Sequence, residues 1–188
     1  RSTCATGSTG ATRAGGVIAT RPRGTKHPVT QNEALPPGHR VLVSQLGDDP
    51  LQAVEQCTSL EPMPAPDPAT LGPRDVLIAV KSAAVGWVDL LMTSGQYQHM
   101  PALPYTPGLE YAGLVVWAGA EAAATVSVGA RVLVDGSLAG PRSRGDYQRF
   151  GGFATYAVAP VEAALPVPEG LDFDQACNLL GSYETAYF

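Results

Sequence analysis

One carboxylate stands in a turn rich in proline and glycine, directly before an apolar stretch. The segment PYTPGLEYAGLVV, residues 104–116, holds Glu110 between Gly108 and the run Ala112 to Val116. A carboxylate at the mouth of a buried strand needs a partner, because an unpaired buried charge is costly. The candidate partners are a metal ion, a cation or a set of hydrogen-bond donors.

The residue types around Glu110 argue against a metal. The histidines and cysteines are isolated along the chain, with no C-x-x-C pair and no second histidine near the first, at His27, His39, His99, Cys4, Cys57 and Cys177. A structural zinc site needs four close ligands, which this pattern does not supply. The sequence also has no G-x-S-x-G motif, no G-x-G-x-x-G motif and no Walker loop, so we expect no zinc and no phosphate-binding loop within these 188 residues.

Charge is distributed unevenly along the chain. The net charge is −5, yet residues 1–32 contain five basic groups and no acidic one. This composition is typical of an organelle transit peptide or of a disordered tail, and the sequence leaves both open. The acidic remainder argues against binding nucleic acid through a basic face. We expect no membrane span, because Glu121 and Arg131 interrupt the longest weakly polar region.

Most of the chain has the pattern of short strands separated by turns. Gly and Pro together are frequent, with 21 and 17 copies, and they delimit segments rich in β-branched residues. The Pro-rich stretch 61–74 is expected to be a surface connection outside any sheet. Six strands are predicted, which favours a partly closed barrel: 40–46, 51–57, 75–85, 112–119, 130–136 and 152–160.

Two segments are predicted to be helical instead. Residues 87–95 place apolar side chains at helical spacing and end in Gly95. Asp172 and Gln175 form a capping-box pattern that opens a second helix, and Ser182 is expected to cap a third.

Five ordered motifs resemble the medium-chain dehydrogenase/reductase superfamily, specifically its zinc-free quinone oxidoreductase branch. They are GPRDVLIAVKSAAVGWVDLLMTSGQY, LPYTPGLEYAGLVVWAG, VSVGARVLV, GGFATYAVAP and LPVPEGLDFDQACNLLGSYETAYF. Zinc-dependent relatives have G-H-E where this chain has Gly108-Leu109-Glu110, and leucine cannot bind zinc. Gly86 is a departure, since asparagine is common there in the family. Two other departures are Ala130, where an aspartate is usual, and the insertion over residues 136–150.

The resemblance implies a mainly β fold, a GroES-like partly open β-barrel with short helices, followed by the first helices of a Rossmann domain that is absent here. The implied boundaries are a basic tail over 1–37, the GroES-like domain over 38–165, and the start of the nucleotide-binding domain over 166–188.

The resemblance also implies roles for individual residues. Tyr97 is expected to donate a hydrogen bond or proton to the substrate, as the catalytic residue. Thr185 and Gly86 are expected to contact the cofactor. Glu110 and Asp89 are expected to be structural acids that line the cleft, Glu110 through hydrogen-bond donors.

The implied activity of the complete protein is hydride transfer from NADPH, with NADH as the alternative cofactor, to a quinone or an α,β-unsaturated carbonyl. This chain would supply the substrate side and would bind no dinucleotide alone, because the Gly-rich phosphate-binding turn is missing. A non-catalytic GroES-like binding or scaffold protein is the main alternative, and an enoyl-thioester reductase or an alcohol dehydrogenase that has lost zinc is a lesser one. The complete protein is a candidate homodimer, and its expected location is the cytoplasm, or a mitochondrion or plastid if residues 1–32 are a transit peptide.

Overall fold

The computed structural model describes residues 34–188, so the predicted basic tail over residues 1–32 lies outside the described part. Within these described residues, seven strands form two antiparallel sheets. A two-stranded sheet pairs β1 (Gly38–Val43) with β2 (Thr58–Met63). A five-stranded sheet has the order β6-β3-β4-β5-β7 and comprises β3 (Asp75–Ala84), β4 (Glu110–Ala118), β5 (Arg131–Val134), β6 (Tyr156–Pro160) and β7 (Ala164–Pro166).

The two sheets are joined into a curled half-barrel, which confirms the predicted fold class. The backbone N–H of Val41 donates to the carbonyl of Phe153 at 2.8 Å, and Val43 exchanges two backbone hydrogen bonds with Tyr105. Inside the five-stranded sheet, alternating side chains of β3 and β4 pack into the main core, among them Val76, Ile78 and Val115. Burying such apolar side chains stabilises the sheet by roughly 1.5–3 kcal/mol each.

The short helices lie at the ends of the strands. They are α1 (Pro50–Gln56), α2 (Trp87–Thr93), α3 (Phe173–Ala176) and α4 (Glu184–Tyr187), with a π-helical turn over Leu179–Tyr183 between the last two. Single 3₁₀ turns cover Pro68–Thr70, Ala122–Ala124, Gly145–Arg149 and Val161–Ala163. No helix within residues 34–188 is long and apolar enough to cross a membrane.

The strand predicted over residues 51–57 is wrong, because this segment is helix α1. The Asp49 side chain accepts hydrogen bonds from the N–H groups of Leu51 and Gln52, and Pro50 occupies the first helical turn. Asp followed by Pro is a strong helix start, since the carboxylate satisfies free N–H groups and proline needs no N–H there. This local signal outweighs the weak alternation of apolar residues.

One further prediction needs correction. The Pro-rich stretch was expected to lie wholly outside a sheet, yet Glu61 to Met63 belong to β2. Pro62 is tolerated because β2 is an edge strand that pairs only with β1 in the described residues. Strand β7 was not predicted, because three residues are too few to show a period.

Candidate functional site

The feature of main functional interest is an open cleft of about 670 Å³ at one end of the half-barrel. Four segments line it: the start of α2 from Gly86 to Asp89, the turn at Leu109 and Glu110, the end of β5 with the following loop, and the segment that runs from Cys177 to Thr185. Barrel and C-terminal segment therefore contribute opposite parts of a single concave surface.

Asp89 joins two of these segments from beneath the cleft. Its side chain is 4% exposed. One carboxylate oxygen, Oδ1, accepts hydrogen bonds from the backbone N–H groups of Gly108 at 3.0 Å and Leu109 at 3.2 Å. The other, Oδ2, accepts from the N–H of Gly86 at 3.0 Å. The carboxylate thus fixes the turn before β4 against the first turn of α2.

Burial raises the pKa of Asp89 above its ordinary value of 3.8, and the three N–H donors oppose this shift. A raised pKa means that the folded state binds the proton more tightly than the unfolded state. The contribution of this group to the free energy of unfolding therefore decreases as the pH rises from the ordinary value through the raised one.

The Gly108 backbone allows this turn to pack closely on the barrel. Its φ is +104°, and an added Cβ would lie 2.6 Å from the backbone nitrogen of Phe153. A side chain at this position would therefore be strained by conformation and by contact. This close approach explains the glycine at position 108.

The partners of the Glu110 carboxylate, which the sequence left open, are hydrogen-bond donors. The backbone N–H of Ser182 donates to Oε1 and its hydroxyl donates to Oε2, each at 2.8 Å. The carboxylate lies so close to Gly181 that an added Cβ there would be 2.3 Å from Oε1. The first residue of β4 is therefore bound to the C-terminal segment through what we call the Glu110–Ser182 contact.

The Glu110–Ser182 contact falls on the π-helical turn. The backbone N–H of Tyr183 donates to the carbonyl of Asn178 at 2.9 Å, which is the wide π-type spacing. Such turns are uncommon and occur often at functional sites. The expectation that Ser182 caps a helix is wrong, since its hydroxyl donates to Glu110 and Tyr183 is the N-cap residue of α4. The turn leads directly to Thr185.

The structure brings four of the five predicted site residues to the cleft. Gly86, Asp89, Glu110 and Thr185 all line it. Tyr97 does not line it, because its half-buried ring packs on a cluster of Val43, Met92, Tyr105 and Leu109 beside α2.

Sequence reasoning missed many of the residues that line the cleft. Among them are Gly181, Cys177 and Arg142. Cys177 is buried, and burial raises the pKa of its thiol, while its Sγ lies 3.5 Å from the Ser82 hydroxyl. No local pattern marks these positions, since each acquires its place from segments distant in sequence.

The described residues contain no group of three or more histidine, cysteine, aspartate or glutamate side chains arranged to hold a metal ion. In the cleft, Asp89 and Glu110 both use their two oxygens to accept hydrogen bonds from protein donors.

The half-barrel, its edge turn and the cleft define the class of protein to which the chain belongs. Residues 72–169 match the family described as the alcohol dehydrogenase GroES-like domain, and the chain is a member of that family. This match and the relatives below confirm the expected placement in the quinone oxidoreductase branch of the medium-chain dehydrogenase/reductase superfamily.

Individual relatives agree with the family. The chain is 38% identical over 117 residues to the quinone oxidoreductase-like protein 2 homolog of Nematostella vectensis, covering 62% of this chain and 29% of that one. A solved structure of a probable oxidoreductase from Mycobacterium abscessus superposes with a TM-score of 0.60 at 28% identity, covering 80% of this chain and 41% of that one. A mycobacterial protein complexed with NADPH superposes with a TM-score of 0.56 at 25% identity, covering 79% of this chain and 42% of that one. The chain thus spans less than half the length of these relatives.

Proposed function

We propose that the complete protein is an NADPH-dependent, zinc-independent oxidoreductase that reduces quinones or α,β-unsaturated carbonyl compounds. The observation that carries this proposal is the shared cleft of Gly86 and Thr185, the two positions expected to meet the cofactor. The names of the relatives support the reaction class, and the NADPH complex of one relative supports the cofactor.

Zinc independence is supported by the chemistry of the donor groups. Leu109 stands where zinc-dependent relatives have histidine, and its neighbour Glu110 accepts two hydrogen bonds from Ser182. Leucine has no lone pair to offer a metal at this turn, and both carboxylate oxygens of Glu110 are already held by Ser182.

The cleft fits the nicotinamide end of a dinucleotide. At Gly86 an added Cβ would meet only Asp89 Oδ2, at 3.4 Å, so the backbone is open to the cleft there. When bound, NADPH supplies the hydride. The contribution of the chain is to orient the acceptor against Leu109, Leu133 and Val134, to exclude water, and to donate a hydrogen bond to the oxygen that gains charge.

We assign that hydrogen bond to Tyr97 and cofactor contact to Thr185. Among the hydroxyl groups that line the cleft, those of Ser137 and Ser182 already donate to carboxylates. Tyr97 is not among the residues that line the cleft. The assignment therefore requires that the acceptor extends to Tyr97, or that the loop around residues 96–100 moves Tyr97 to the acceptor.

Tyr97→Phe is expected to lower kcat of the complete protein about 100-fold, the lower range for loss of a proton donor, with little change in the KM for NADPH. Thr185→Ala is expected to raise that KM by contrast. Both are measured by following NADPH consumption with a quinone acceptor, and unfolding curves control for stability. If Tyr97→Phe retains full kcat while Thr185→Ala lowers it, the hydrogen bond comes from Thr185 and the assignment of Tyr97 is wrong.

A further inference from the structure

The loop between β5 and β6 contains a tight turn that points one basic residue at the cleft. In Gly140-Pro141-Arg142-Ser143, the backbone N–H of Ser143 donates to the carbonyl of Gly140 at 2.9 Å, and its hydroxyl donates to the same carbonyl at 2.7 Å. Proline is favoured at the second position of such a turn because its φ is fixed. Arg142 occupies the third position.

The turn is anchored on both sides of Arg142. Pro141 is fully buried and Ser143 is 1% exposed, whereas Arg142 between them is exposed. The Ser143 carbonyl also accepts a hydrogen bond from the side-chain amide of Gln148 at 2.7 Å and lies 3.1 Å from Nε2 of His99. Because this backbone is already fixed, binding a ligand through Arg142 requires no further ordering of the backbone, which favours recognition.

Among the described residues that line the cleft, Arg142 is the one basic residue. The ion pairs found within residues 34–188 involve Arg40 and Arg74, so Arg142 has no carboxylate partner in the described part of the chain.

Three of the four acids found in the cleft lining within residues 34–188 already accept hydrogen bonds. Asp89 and Glu110 accept the hydrogen bonds described above, and Asp135 accepts from the N–H and hydroxyl of Ser137. Glu184 also lines the cleft, and no ion pair joins it to Arg142. The guanidinium is therefore free to donate to a ligand.

We propose that Arg142 binds an anionic group, a carboxylate or phosphate, carried by the acceptor substrate. This inference rests on the proposed reductase function and adds a substrate class to it. Guanidinium binds such planar or multidentate oxyanions through paired hydrogen bonds, which add specificity as well as energy. The acceptor would be a quinone or enone whose side chain ends in an acid.

The test uses two quinones that share one alkyl side chain, ending in a carboxylate in the first and in its methyl ester in the second. With the complete protein and NADPH, Arg142→Gln is expected to lower kcat/KM about 10- to 100-fold for the carboxylate, the loss expected for a charge-assisted hydrogen bond. For the ester, kcat/KM should change less than about twofold. Arg142→Lys should be intermediate, because it keeps the charge without the paired donors.

Arg144→Gln is the matched control, since Arg144 is exposed on the same loop and does not line the cleft. Arg144→Gln should leave kcat/KM for both quinones unchanged. If the wild type and Arg142→Gln have equal kcat/KM for each of the two quinones, the proposal is overturned and the reductase function still stands. A raised KM for NADPH but not for NADH in Arg142→Gln would overturn it in favour of the cofactor phosphate as the ligand. Reduction of neither quinone would refute the proposed function, and the Arg142 proposal with it.

Discussion

Replacement of Asp89 by alanine is expected to lower the free energy of unfolding by about 3–5 kcal/mol. The substitution leaves the buried N–H groups of Gly108 and Leu109 and the partly buried N–H of Gly86 without an acceptor, and each unsatisfied buried group costs about 1–3 kcal/mol. Denaturant unfolding of the variant measures the loss.

Asp49→Ala is the matched control for this prediction. Asp49 also accepts two backbone N–H bonds, but at an exposed helix cap, where the expected cost is about 1 kcal/mol. If Asp89→Ala loses no more stability than Asp49→Ala, the cleft turn and α2 are not held together by this carboxylate.

Asp89→Asn separates the charge of the carboxylate from its hydrogen bonds. Burial raises the pKa of Asp89, so wild-type stability falls as the pH rises through that value, whereas the amide does not titrate. The stability cost of Asp89→Asn should therefore be larger below the ordinary pKa of aspartate than at neutral pH. A cost that grows towards neutral pH would show that the folded state instead favours the ionised form.

Gly181→Ala is expected to break the Glu110–Ser182 contact. Its effect on stability is expected to be the second largest, after that of Asp89→Ala. The new Cβ would lie 2.3 Å from Oε1 of Glu110, so the carboxylate or the π-helical turn must move. We expect a loss of about 1–3 kcal/mol of stability, typical of overpacking, and faster amide exchange at Ser182. In the complete protein, kcat/KM for NADPH should also fall, because Thr185 follows the displaced turn.

A double-mutant cycle identifies the cause. In the Glu110→Ala background the clash is gone, so Gly181→Ala should cost much less there than in the wild type, with a coupling energy of about 0.5–3 kcal/mol. Ser182→Ala removes only the hydroxyl donor and should have a smaller effect than Gly181→Ala. Additive effects of Gly181→Ala and Glu110→Ala would contradict a direct contact.

Local patterns in the sequence were sufficient for elements whose signals lie within a few residues. Helix α2 was predicted from apolar spacing and its glycine stop, and it runs from Trp87 to Thr93. The predicted capping box of Asp172 and Gln175 is confirmed by two hydrogen bonds, at 2.8 and 3.1 Å. Helix α1 was missed because the strand pattern over 51–57 was read without the Asp49-Pro50 start before it.

The cleft contacts could not be predicted in the same way. Glu110 and Ser182 are 72 positions apart, and only the folded chain brings them together. Burial and residue type indicated that Glu110 needs a partner, and the family resemblance implied hydrogen-bond donors, but neither could name Ser182. Arg142 lies in the segment that departs from the family pattern, so no motif pointed to it.

The most direct test of the central claim is the rate of NADPH oxidation by the complete protein when a quinone is added in the presence of a metal chelator. We expect acceptor-dependent oxidation that the chelator does not slow, because in the proposed function the acceptor is oriented without a metal ligand at Leu109 or Glu110. No acceptor-dependent oxidation, or oxidation that the chelator abolishes and added zinc restores, would contradict it.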